Sequence, residues 1–381
     1  MVFPSNSGFP KWHSRLTTRL PVVLLLLTAN LPAQTARPDP AIQQIVAEIS
    51  PDRIAATVKT LAGFETRGNY SDPNQKTRGI GAARRWIFAQ LHGYNQRLEV
   101  SYDVEKKGAT DIASVVAVLP GTVQPEKRII VAAHYDSINL RATGDKAAEA
   151  PAPGADDDAS GTAVVLELAR VLSRYHFRKT IVFIAFAGEE LGFVGSSRYA
   201  SRVKASHEQI EAVFNNDIVG SDVVGEASTH TGIALNDIGG ADDDTGGSGE
   251  TGNRLRIYSP DPADSPSRRL ARYIQDAAQR YVPILQIELI LRSDRYTRGG
   301  DQIPFQRSGF AAVRLTSASE NLISQHTMGD TPDRVSSSFT ANVARVNGAA
   351  IAGLAAAAPE TAVSKTPARK NAVPKIRSLP E

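Results

Sequence analysis

Cysteine is absent from the 381-residue chain, which excludes a disulfide framework, a thiolate metal site, a cysteine nucleophile and a lipid-modified cysteine. No G-x-S-x-G elbow follows an apolar strand, so the usual setting of a serine nucleophile is missing. The glycine-rich phosphate cradles of the P-loop and dinucleotide types are missing as well. The most apolar run, LPVVLLLLTANL at 20–31, is shorter than the roughly 20 residues a membrane span needs. There is no internal repeat and no clustered basic charge in the part expected to fold. The formal charge of +3 resides in Lys11, Arg15 and Arg19, the only charged residues among the first 33, and a tail from Pro359 adds five more basic residues. Residues 34–358 hold 35 basic against 38 acidic side chains. A slightly acidic folded region offers no electrostatic footprint for nucleic acid.

What is present begins with an address. Lys11, Arg15 and Arg19, the apolar run at 20–31, and the small residues Ala33 and Ala36 follow the charged, apolar, small-residue order of a secretory signal. The expectation is an exported protein with residues 1–33 as the signal, one domain over 34–358, and a disordered basic, proline-rich tail over 359–381. An uncleaved anchor is the competing reading; a mature chain would carry no membrane span.

Helical periodicity marks residues 40–63, where Ser50-Pro51 forms a cap and first turn, and residues 79–91, 162–175, 264–281 and 338–357. Strand-like runs occupy 98–104, 113–119, 128–134, 179–187, 212–218 and 287–292. Strands separated by helices predict an α/β single domain with a central mixed, largely parallel sheet flanked by helices. The Gly- and Asp-rich stretch 236–252 reads as a surface loop without the ligand spacing of a calcium loop.

The chemistry gathers where these strands end. RIIVAAHYD delivers His134 and Asp136, IVFIAFAGEE delivers Glu189 and Glu190, and AVFNNDIVG delivers Asp217, while PGADDDASG sets Asp156, Asp157 and Asp158 before an apolar helix. One such carboxylate alone is most often a solvated turn residue. Several at equivalent positions converge, because open α/β sheets bind ligands beyond the carboxyl ends of their strands. Crowded carboxylates call for a divalent cation between them, and mixed nitrogen and oxygen donors suit zinc, manganese or cobalt.

The order H-Y-D (134–136), G-A-D-D-D-A-S-G (154–161), G-E-E-L-G (188–192), N-D-I-V-G (216–220) and Q-H-T-M-G-D-T (325–331) resembles the M28 family of zinc-dependent metallopeptidases, which includes bacterial leucyl-type aminopeptidases with two zinc ions. The resemblance covers about residues 50–357. It implies two Zn2+ per chain, with Asp156 bridging them, His134 and Asp217 completing one ligand set, and Glu190 with His326 the other. It further implies Glu189 as general base and Asp136 as the residue that accepts the imidazole N–H of His134. Tyr296 is a candidate oxyanion donor. Gln302 stands where relatives carry histidine, which puts local substrate contacts in question. Peptides are the implied substrates, with an aminopeptidase as the leading reading. A single-zinc glutaminyl cyclase, a carboxypeptidase of the same fold and a receptor-like module without catalysis are the alternatives.

Overall fold

The computed structural model describes residues 37–144, 147–221, 252–260, 262–295 and 298–355. The expectations for the signal at 1–33, the loop at 236–251, Tyr296 and the tail at 359–381 therefore lie outside the described residues. Among the described residues no helix is long and apolar enough to cross a membrane.

Among the described residues, eight strands form one sheet: β1 (Glu99–Lys107), β2 (Thr110–Leu119), β3 (Gln124–His134), β4 (Lys179–Phe186), β5 (Gln209–Asn216), β6 (Arg254–Tyr258), β7 (Gln286–Ile290) and β8 (Ala312–Ser317). Their order across the sheet is β1-β2-β4-β3-β5-β8-β6-β7. The central strands β4, β3, β5 and β8 run parallel, whereas β2 and β6 pair antiparallel on either side of them. The expected mixed, largely parallel α/β sheet is thus what the chain forms. Two of its strands, β6 and β8, were not anticipated from periodicity.

Eight α-helices among the described residues accompany the sheet: α1 (Pro40–Ala47), α2 (Pro51–Ala62), α3 (Gly79–Tyr94), α4 (Gly161–Leu172), α5 (Val194–Ala205), α6 (Pro266–Tyr281), α7 (Gln302–Arg307) and α8 (Ser337–Ala355). Three of them start in the same way. Asp39, Ser50 and Ser265 each accept a first-turn backbone N–H with their side chain, and a proline follows whose missing N–H is no loss there.

β3 and its neighbour β4 carry apolar runs, 129–133 and 181–186, because both of their faces are covered. On one face, Ile129 and Val131 pack in the main core with α4 residues such as Val165 and Leu168 and with α8. On the other, Ile130 and Ala132 pack with Tyr199 and Val203 of α5 and Phe305 of α7. The chain leaves β3 through α4 to reach β4 on one side, then crosses through α5 to β5 on the other. That reversal puts the end of β3 at the switch point of the sheet, where a crevice opens between diverging connections.

Candidate metal centre

Sheet register brings the first two groups together. Ala132 of β3 is level with Asn215 of β5, and His134 is level with Phe186 of β4. Two residues further along, Asp217 stands beside His134, and their Oδ1 and Nε2 atoms are 3.8 Å apart. The next turn beyond Phe186 carries Glu189 and Glu190.

Between β3 and α4, three consecutive aspartates do three different things. Asp156 faces away from the histidines: its Oδ1 accepts the Gly220 N–H at 2.8 Å. Asp158 is consumed by the backbone, accepting N–H groups of His134 at 3.2 Å, Gly161 at 2.9 Å and Ile218 at 3.2 Å. Asp157 alone is divided between the two imidazoles, with Oδ1 3.2 Å from His134 Nε2 and Oδ2 3.0 Å from His326 Nε2. The bridging position expected for Asp156 therefore falls to Asp157, one residue on. Gly154, at φ +52°, allows this turn, since a β-carbon there would sit 2.5 Å from Asp157 O and 2.8 Å from Arg67 Nη2.

Two groups of donors result. One holds His134, Asp158 and Asp217, the other Asp157, Glu190 and His326, each with atoms within 4.8 Å of one another. In the first group the three N–H donors on Asp158 leave Asp157 Oδ1 as the better-placed oxygen toward His134. The second closes with Glu190 Oε1 at 3.4 Å from His326 Nε2.

These donors fit divalent zinc. Zinc–nitrogen and zinc–oxygen bonds of about 2.0–2.2 Å in a tetrahedron separate neighbouring ligand atoms by roughly 3.4 Å, and the donor pairs here span 3.0–3.8 Å. Glu190 Oε1 is buried and receives no hydrogen bond, a costly state for a carboxylate oxygen unless a cation faces it. Burial, helped by like charge from neighbouring carboxylates, pushes Glu189 and Glu190 well above the usual carboxylate range. Burial opposes ionisation of Asp157 too, yet hydrogen bonds from His134 and His326 outweigh it and hold the group well below that range. Burial also disfavours a charged His134, but Glu189, Asp136, Asp157 and Asp217 overcome this and raise it well above its ordinary value. A cluster that draws this strongly on positive charge is one that a metal ion satisfies.

Supporting residues explain why the donors stay in place. The Nδ1 of His134 lies 3.1 Å from the carbonyl oxygen of Asp136 and 3.6 Å from its carboxylate, so the backbone is its nearer acceptor and Nε2 is left facing the cluster. The Asp136 carboxylate mainly serves the glutamate turn, accepting N–H groups of Glu189 at 3.3 Å and Glu190 at 3.1 Å, while Asn69 donates to it at 2.7 Å. Asp330, four residues after His326, accepts the N–H groups of Asp156 at 2.9 Å and Asp157 at 3.0 Å; burial pushes its carboxyl up to about 6. Arg67, fully buried, donates to carbonyls of Tyr135, Leu61, Pro153 and Gly154, tying the end of β3 to the aspartate turn.

Behind Asp217 lies Arg314 of β8, with no exposed side-chain surface, 3.1 Å from Asp217 Oδ1 and 2.8 Å from Asp294 Oδ1. Gln302 is buried in the same network: it accepts from Asn215 at 3.1 Å and donates to Asp294 and to the Ser293 carbonyl at 3.0 Å. Its departure from the family's histidine thus falls on an interior link. Arg314 is marked in the sequence only by its place inside the apolar run FAAVRLT.

Comparisons with known proteins find similarity to zinc metalloproteases. A probable zinc metalloprotease of Pyricularia oryzae is 38% identical over 85% of this chain and 68% of its own length. Among solved structures, the LapA aminopeptidase of Legionella pneumophila is 19% identical and covers 82% of this chain and 74% of that one at a TM-score of 0.61. A glutaminyl cyclase from Porphyromonas gingivalis is 17% identical, covering 81% and 99% at 0.59. At these identities the two structures attest the fold. The model of peptidase family M28 matches residues 114–351, from β2 to α8, and so spans every donor described above: the chain belongs to peptidase family M28.

Proposed function

We propose that this protein is an exported exopeptidase holding two zinc ions, and that it acts as an aminopeptidase, releasing N-terminal residues from peptides. The observation that carries the two-metal reading is the Asp157 carboxylate, with one oxygen toward His134 and the other toward His326. His134 and Asp217 would hold one ion, Glu190 and His326 the other, and Asp157 both. Two such ions would supply polarisation of a peptide carbonyl and a lowered pKa for a coordinated water.

The chain's own residues supply the rest. Glu189 is half-buried beside the cluster without belonging to either donor group. It is the group free to take a proton from water and pass it to the departing amine. Asp136 fixes the backbone of the turn, so that Glu190 points to the donors while its neighbour stays mobile in charge. The order of basic, apolar and small residues before residue 37 supports export.

The test combines metal content with a substrate panel. Zinc-loaded protein is expected to contain two zinc ions per chain and to hydrolyse aminoacyl nitroanilides, with kcat lowered about 10²- to 10⁴-fold by Glu189→Gln. N-blocked peptides probe a carboxypeptidase, and a glutaminyl peptide probes cyclisation. Cyclisation without hydrolysis, or a Glu189→Gln variant as fast as wild type, overturns the proposal.

A further inference from the structure

Three arginines stand around the Asp217 side of the centre, and two of them are neutralised internally. Arg314 lies between Asp217 and Asp294, and Arg295 pairs with Asp294 and Glu320. Arg298 differs. Its Nη1 donates to Gln325 Oε1 at 3.0 Å, and among the described residues it has no carboxylate partner and no acceptor for its other N–H groups. It is nonetheless half-buried, and a guanidinium in that position is stabilised by an anion able to meet its planar fork.

The position of Arg298 relates it to the reaction. On its backbone side, the segment Gly299-Gly300 passes tightly over the centre. A β-carbon on Gly300 would fall 2.9 Å from Asp217 Oδ2, and one on Gly299 would fall 2.7 Å from the Phe193 ring, three residues beyond Glu190. On its side-chain side, the guanidinium is tethered to the residue that precedes His326. Arg298 therefore links the glycine segment beside Asp217 to the residue that precedes His326. Gln325 holds it in place without cancelling its charge, because the Gln325 amide itself donates to Glu320 at 3.2 Å.

We propose that Arg298 is a subsite for the free α-carboxylate of a short peptide, which makes dipeptides and tripeptides the preferred substrates. The inference rests on the peptidase reading above and gives it a substrate class. An internal or amidated carbonyl has no negative charge to offer at this point, so discrimination appears as a preference for peptide acid over peptide amide.

Leucylglycine and leucylglycinamide, compared on the zinc-loaded full chain, test this. A charge-assisted pair is expected to favour the acid by about 10- to 100-fold in kcat/KM, mostly through KM. Arg298→Ala and Arg298→Gln should bring the acid-to-amide ratio close to one, and Arg298→Lys should restore part of it; Arg298→Gln keeps a side chain beside Gln325 and so controls for local collapse. Calorimetric binding of the acid and amide forms of a reduced-bond dipeptide analogue reads the same ratio without turnover. Equal binding and turnover of acid and amide by wild type, or a ratio that Arg298→Ala leaves in place, overturns the inference. Selective binding of the acid without hydrolysis supports the subsite while overturning the peptidase reading.

Discussion

The two halves of the centre are built differently. His134 and Asp217 end neighbouring strands of the sheet, and their side chains are 1% and 3% exposed. Arg314, wholly buried, backs Asp217 from a third strand. Glu190 and His326 come from turns, and their side chains are 10% and 21% exposed. Strand ends are fixed by a ladder of hydrogen bonds and by core packing, whereas turns owe their shape to a few side-chain bonds. The first half is the preorganised one; the second depends on Asp136 holding the glutamate turn and on Asp330 linking the His326 segment to the aspartate turn. Asp157 belongs to both and makes them one centre.

The strongest way to break the contrast is to remove what both halves share. Asp157→Asn should lower zinc content at both positions and reduce activity by more than Glu189→Gln does, because it removes donors rather than a proton carrier; metal analysis beside kinetics checks this, and full zinc content in Asp157→Asn would exclude it as the bridge. Breaking only the buried half comes next. Arg314→Met leaves Asp217 buried without its cation and Asp294 with Arg295 alone, and should cost about 3–5 kcal/mol of stability, read from denaturant unfolding. A loss under about 1 kcal/mol would mean that the pair is not insulated from water as described. The smallest effect sharpens the comparison without any mutation. Dilute chelator should remove zinc in two phases, the faster from the Glu190–His326 half, and a cobalt-substituted protein followed spectroscopically separates them; a single phase would show the halves to be equivalent.

Much of this was legible in residue order. The continuous apolar runs of β3 and β4 announce buried parallel strands, and their exits, with that of β5, place His134, Glu189, Glu190 and Asp217 without a structure. Where identical residues stand side by side, residue type carries no information. Asp156, Asp157 and Asp158 differ only in where an irregular turn aims them, and the backbone bonds that set this run to Gly220, Ile218 and Asp330, far away in sequence. β8 was hidden for a related reason, since Arg314 interrupts its apolar pattern and the partners that make a buried arginine tolerable, Asp217 and Asp294, are distant along the chain. Gln302, standing where relatives carry histidine, puts substrate contacts in question in the sequence; its hydrogen bonds turn it inward.

The bond from Asp330 to the Asp156 and Asp157 amides closes a loop of 174 residues, and β8, which carries Arg314, inserts beside β5 only after some hundred intervening residues. Contacts of such long range form late in folding. A chain emerging in order from its N-terminus has His134, the aspartates and both glutamates in hand long before it has Arg314, His326 or Asp330. Competence to hold metal is thus tied to completion of the polypeptide: an unfinished or truncated copy carries most of the donors but lacks Arg314, His326 and Asp330, which complete the centre.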